Sequence, residues 1–97
     1  MRYDWDSAKD VLNQRKHGLS LADGISALED PGREISIDDR FDYGEIRLVT
    51  AGRSGSKVLI VVSTELSKTA DGNEITPIIS VRKAKWYEAD WFNLGRA

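Results

Sequence analysis

Residues 46–64 read IRLVTAGRSGSKVLIVVST, and this stretch decides the fold class. From Ile46 to Ala51 the side chains alternate. Ile46 and Leu48 share one face and Arg47 takes the other, which is the period of a strand. Gly52-Arg53-Ser54-Gly55-Ser56 has the chemistry of a hairpin loop. Val58 to Thr64 is apolar on both faces until Ser63, which predicts a strand in the middle of a sheet. Two strands joined by so short a loop run antiparallel.

Working outward, Ile35 and Ile37 alternate with polar residues and predict another short strand, and Asp38 to Gly44 reads as a loop. Downstream, Leu66 to Asn73 is a polar loop containing Asp71-Gly72, and Ile75 to Val81 is the last strand. Pro77 has no N–H to give a ladder, so that part belongs at an edge or a bulge. At the start, Tyr3 to Trp5 is a short strand. Asp6 then caps a helix that runs to about Lys16 and stops at Gly18. Its apolar stripe is Ala8, Val11 and Leu12. Ser20, with Asp23 in capping-box spacing, opens a second helix buried through Leu21, Ala22, Ile25 and Leu28. Asp30-Pro31-Gly32 ends it as a turn. From about Arg82 to Leu94 a third helix carries Ala84, Tyr87, Trp91 and Leu94 on one stripe. Trp86 lies opposite that stripe and Phe92 to one side. The order β-α-α-β-β-β-β-α predicts one α+β domain over 1–97: two N-terminal helices, an antiparallel four-stranded sheet and a C-terminal helix.

Composition narrows the function. The chain has 97 residues and no cysteine, so it has neither a disulfide framework nor a thiolate zinc site. Its longest apolar run, Val58 to Val62, is too short to span a membrane. The opening Met1-Arg2-Tyr3-Asp4 lacks the apolar region of a signal peptide, and the expectation is a cytoplasmic protein. There is no glycine-rich phosphate loop, no calcium-loop pattern and, with a single His, no Cys/His pair. A sequence pI of about 5.3 argues at face value against a nucleic-acid ligand. The charge is segregated, however. Residues 21–45 hold 2 basic and 8 acidic residues, so the remainder of the chain is net positive.

Four clusters have chemical potential. Lys9, Asn13 and Lys16 share a side of the first helix, away from its apolar stripe, and His17 continues that edge. Lys and Asn suit phosphate and base contacts, and His moves protons near neutral pH. The plainer reading is a solvated face whose terminal His is favoured by the helix dipole. Glu45 and Arg47 lie on one face at a strand start, as a salt bridge or as part of a site. Ser80-Val81-Arg82-Lys83 places a hydroxyl and two cations where the last strand meets the last helix. Cations disfavour a helix start, and a bound phosphate would account for them; snorkelling into water is the alternative. Thr64-Glu65 closes the central strand, as a cap or on the same side as the other clusters.

Together these residues resemble a known family. Trp5-Asp6-x-x-Lys9-x-x-x-Asn13-x-x-Lys16-His17-Gly18-Leu19-Ser20 is similar to the opening of BrnT-type toxins. The likeness continues through Asp30-Pro31, Tyr43-Gly44-Glu45-x-Arg47, Gly52, Val61-Val62-x-Thr64, Ile78-Ile79-Ser80-Val81-Arg82-Lys83-Ala84 and Glu88. The resemblance implies a compact RelE-like fold and a ribonuclease toxin of a type II toxin–antitoxin system that inhibits translation, cleaving RNA with no metal or organic cofactor. It implies a BrnA-like antitoxin that binds both toxin and DNA, and a toxin dimer within a heterotetramer. By position it makes His17 the proton-transfer group, with Glu45 or Glu65 as base or as orienter of an arginine. Arg47, Arg82 and Lys83 would hold the phosphate, and Lys9, Asn13 and Lys16 the RNA. Trp86 and Phe92, off the predicted stripe, are the candidate antitoxin contacts. The chain departs from the pattern at Leu66 and Pro77, where family members often carry arginine, and at Val81, usually alanine. The alternative is therefore a catalytically weak or inactive toxin fold acting as antitoxin partner or co-repressor.

Overall fold

The computed structural model describes residues 2–38 and 44–95. The expected loop from Asp38 to Gly44, with Tyr43, falls outside the described residues across 39–43. The elements in order are β1 (Arg2–Asp4), α1 (Ser7–His17), a 3₁₀ turn (Leu21–Gly24), α2 (Ile25–Leu28), β2 (Glu34–Asp38), β3 (Arg47–Ser54), β4 (Lys57–Thr64), β5 (Ser67–Lys68), β6 (Glu74–Lys83) and α3 (Trp86–Gly95). They form an α+β fold around one sheet of order β1-β6-β4-β3-β2, with β5 also paired to β6.

The doubly apolar β4 sits in the middle, between β3 and β6, as predicted. The hairpin before it is tighter than expected. β3 runs on to Ser54, and only Gly55-Ser56 turn, with Gly55 at φ 61°. The four-stranded antiparallel sheet needs correcting. β1 joins β6 in parallel, Arg2 to Ile75 through Asp4 to Pro77, and β5 adds a short antiparallel rung within the expected loop. The sheet is therefore mixed. Pro77 fits its missing donor: it faces only the last residue of β1, beside a bulge where the β4–β6 register slips between Val62 and Ser63.

Strand alternation divides the core in two. Leu59 and Val61 of β4, with Val81 and Ile78 of β6, face the helical N-terminal region and bury Leu21 and Ala27. Val58 and Ile60 face the other way, against Ala51 and Phe92. Close approach sets the first layer. A Cβ on Gly52 would stand 2.2 Å from the Ala27 carbonyl oxygen, so only glycine lets α2 lie this close to β3. Asp30 pins the same corner, accepting from the Gly32 N–H at 3.0 Å and the Arg53 N–H at 2.8 Å.

Helix α1 is capped as expected. Asp6 accepts from the Ala8 and Lys9 N–H groups at 2.7 and 3.3 Å, and Gly18 ends the helix at φ 72°. Its buried face is the correction. Val11 and Leu12 are 48% and 61% exposed, while Asn13 is 5% exposed. What turns Asn13 inward is hydrogen bonding. Its amide donates to the Val81 carbonyl at 2.9 Å and the Leu19 carbonyl at 2.8 Å, and its Oδ1 accepts from the Val81 N–H at 3.0 Å. β1 ends its pairing at Pro77, so Asn13 completes the edge of β6 that the strand leaves open. Asp10 adds to this anchoring by accepting from the Leu21 N–H at 2.7 Å. Asn13→Ala leaves the buried Val81 N–H and carbonyl without this partner, and urea denaturation is expected to show a loss of about 3 kcal/mol.

The second predicted helix is a 3₁₀ turn running into α2. Asp23 accepts from the Ser20 N–H at 2.8 Å as expected, but Ala22 is exposed and Gly24 and Ala27 take its place inside. Helix α3 differs in start and in face. The strand continues to Lys83 and the helix begins at Trp86. Tyr87, Trp91 and Leu94, the predicted buried stripe, are 51%, 63% and 76% exposed, whereas Phe92 is 0% exposed.

Candidate active site

Among the described residues, the sheet face that carries α3 is covered only at one end. The register places Arg47 beside Thr64, Val49 beside Val62, and Val62 beside Ser80, with Arg82 beside Ile60. Arg47, Thr64, Ser80 and Arg82 therefore share this face. The end of α1 walls it from the side. Lys9, Lys16 and His17 join Ser80 and Arg82 in lining one open groove of about 460 Å³. A second depression of about 450 Å³ continues it through the shared Lys9 and Ile79 to Glu45, Thr64 and Pro77. Six of the expected site residues thus line one trough: Lys9, Asn13, Lys16, His17, Glu45 and Arg82. Among the described residues no group of three or more His, Asp or Glu side chains is placed to hold a metal ion.

His17 lines the Arg82 end of the trough, half-buried on the last turn of α1. Its pKa is lowered from the ordinary 6.5, first by burial and then by the nearby Lys16 and Arg82 cations. Neutral imidazole is thereby favoured at neutral pH, the form that accepts a proton. The left-handed Gly18, whose N–H bonds the Gln14 carbonyl at 2.9 Å, fixes the helix end that carries it.

The two arginines each meet a carboxylate. Arg47 Nε lies 3.6 Å from Glu45 Oε1. Arg82 makes a bidentate pair with Glu88, Nη1 to Oε1 at 2.7 Å and Nη2 to Oε2 at 2.8 Å. Glu88 also accepts from the Lys85 N–H at 2.7 Å, at the start of α3. The anion expected at that helix start is supplied by the protein itself, and it joins α3 to β6. Glu88 matches the family pattern, but its role was not legible, because its partner comes from a strand that sequence reading ended two residues early. Ser80, already singled out in the sequence for its hydroxyl, stays beside Arg82 in the groove because strand parity puts the two on one face.

Other expected residues are placed elsewhere. Lys83 follows Arg82 in a strand, so alternation sends it to the opposite face, opposite Leu59 in the ladder. The two cations do not grip one phosphate together, as a helix start would have allowed. Glu65 is exposed just past the end of β4. Asn13 lines the groove, but its amide is committed to Val81 and Leu19, so it shapes the wall rather than reaching for a base. Phe92 is in the core and makes no surface for a partner, whereas Trp86 is 77% exposed.

The Arg82–Glu88 pair has a pH signature. Glu88 is lowered from 4.5 to about 2, chiefly by the hydrogen bonds from Arg82. A depressed carboxylate stabilises the fold above its unfolded pKa, and that contribution disappears as pH falls through the folded value. Glu88→Gln is expected to cost about 1–2 kcal/mol at pH 7, allowing for solvent screening of a partly exposed pair. Thermal denaturation should show the gap narrowing below pH 4.5 and closing near pH 2.

No described helix is long and apolar enough to cross a membrane. No curated protein matches the chain. A family model described as "Ribonuclease toxin, BrnT, of type II toxin-antitoxin system" matches residues 5–88, which takes in everything from α1 through β6 and the start of α3. The chain belongs to this family of ribonuclease toxins, whose members are paired with protein antitoxins.

Proposed function

We propose that the trough cleaves RNA by transesterification without a metal, and that the chain thereby inhibits translation in the cytoplasm. The observation that carries this reading is the lowered pKa of His17 in a groove it shares with Lys9, Lys16 and Arg82. The ribose 2′-hydroxyl attacks the adjacent phosphorus, and neutral His17 takes its proton. The P–O5′ bond breaks as the new P–O2′ bond forms. Lys9 or Lys16 protonates the departing 5′-oxygen, leaving a 2′,3′-cyclic phosphate and a 5′-hydroxyl. Charge developing on the phosphate is held by Arg82, and by Arg47 reaching in from the same sheet face, since a guanidinium fork suits phosphate oxygens. Glu45 orients Arg47. Lys83, on the opposite sheet face, and Glu65, exposed past the end of β4, take no part in the step. The neutralising partner is a BrnA-like antitoxin that carries the complex to DNA, with a toxin dimer inside a heterotetramer.

A second reading is favoured by one observation: Arg82 already holds a carboxylate bidentately. A phosphate must then compete with Glu88, which fits a weak nuclease retained as antitoxin partner or co-repressor. Inducible expression in a bacterial host separates the two. The toxin reading expects growth arrest with fragmented RNA. Undisturbed growth with the stable wild-type chain supports the second.

A further inference from the structure

An apolar groove lies across the Arg82–Glu88 pair from the trough, between β2 and α3. It holds about 410 Å³ and is floored by Val49, Ala51 and Ile60, with Tyr87 and Trp91 on one bank and Glu34 on the other. No cation lines it. The strand on its rim, β2, is the last in the sheet, and among the described residues nothing pairs with its outer edge. The ladder's parity decides what that edge offers. The two-residue turn makes Ser54 and Lys57 a hydrogen-bonded pair, so Ala51 and Val49 bond Glu34 and Ser36. The N–H and C=O groups of Ile35 and Ile37 therefore point outward. Their side chains, 52% and 64% exposed, lie on the opposite face from Glu34. An open edge flanked by apolar surface on both faces is a template for a further strand.

We propose that this edge receives an extended segment of a partner protein in which basic and aliphatic residues alternate, and that the partner is the antitoxin. The proposal rests on the toxin–antitoxin reading. A strand added beyond β2 sends alternate side chains to the α3 side. There a Lys or Arg stem lies along Tyr87 and Trp91 while its charge meets Glu34. The intervening side chains cover Ile35 and Ile37 and are aliphatic. A second copy of the chain fits poorly. Antiparallel pairing of two β2 edges would bring the Glu34 and Asp38 carboxylates of both copies onto one strip. The acidic excess of residues 21–45 selects the same basic partner.

The test uses the intact chain and a synthetic eight-residue peptide alternating arginine with isoleucine, followed by calorimetry. The expected result is saturable binding, weakened at least tenfold by Glu34→Lys and by Trp91→Ala, both at exposed positions. Replacing the peptide's arginines with glutamate, or N-methylating its edge-facing amides, should abolish it. No binding, equal binding of the basic and acidic peptides, or indifference to both substitutions would overturn the proposal. So would a dimer of the free chain that Trp91→Ala dissociates, which would give the groove to a second copy. Peptide binding by a chain that neither arrests growth nor cleaves RNA would keep the surface and remove the ribonuclease reading. Growth arrest without peptide binding would do the reverse.

Discussion

Arg82→Ala is expected to relieve growth arrest and to slow RNA cleavage by about 10²–10³-fold, the effect of removing one preorganised donor from developing phosphate charge. Among the described residues Arg82 is the only arginine in the groove that also holds His17, and its charge is among the causes that lower the His17 pKa. It is also a structural tie through Glu88, so loss of activity alone would be ambiguous. Glu88→Gln resolves this. It weakens the same pair from the carboxylate side and leaves the guanidinium in place. Most of the cleavage activity should survive in Glu88→Gln at temperatures where both variants are folded. Equal loss in the two would make Arg82 a structural residue.

His17→Gln is expected to reduce cleavage by about 10²–10⁴-fold, the usual contribution of a general base. Glutamine keeps a polar side chain on the last turn of α1, and Gly18 still ends the helix, so the fold should be retained. The wild-type pH profile carries a second signature. His17 is lowered below 6.5, so its neutral form dominates throughout the neutral range. The rate should hold level there and fall tenfold per pH unit only on the acid side of the lowered pKa. A rate that rises on acidification would make His17 the acid and pass the base to a carboxylate such as Glu45.

The sheet was more legible than the helices, for a physical reason. Strand alternation reports burial directly, and Val58 to Val62 could only be central because both its faces are apolar. Helix faces were misassigned where burial is driven by hydrogen bonds. On α1 the residue that enters the interior is Asn13, which mends the open edge of β6, while the apolar Val11 and Leu12 stay outside. Hydropathy periodicity cannot register such a contact. On α3 nearly every side is apolar, so the pattern does not select among faces. Phe92 and Ala89 pack inward, and the tryptophans are left for solvent or a partner. Of the candidate site, the sequence marked residue types that line the trough: Lys9, Lys16, His17, Glu45 and Arg82. Its limits were set by one boundary. Ending β6 early made Arg82 and Lys83 a pair at a helix start, whereas the strand sends them to opposite faces and gives Arg82 to Glu88.

The most direct measurement is analysis of RNA ends after incubation with the purified chain in the presence of a metal chelator. Fragments ending in 2′,3′-cyclic phosphate and 5′-hydroxyl, formed by the wild type and absent with His17→Gln, are the expected result. Intact RNA, 3′-hydroxyl ends, or the same fragments from His17→Gln would contradict the account.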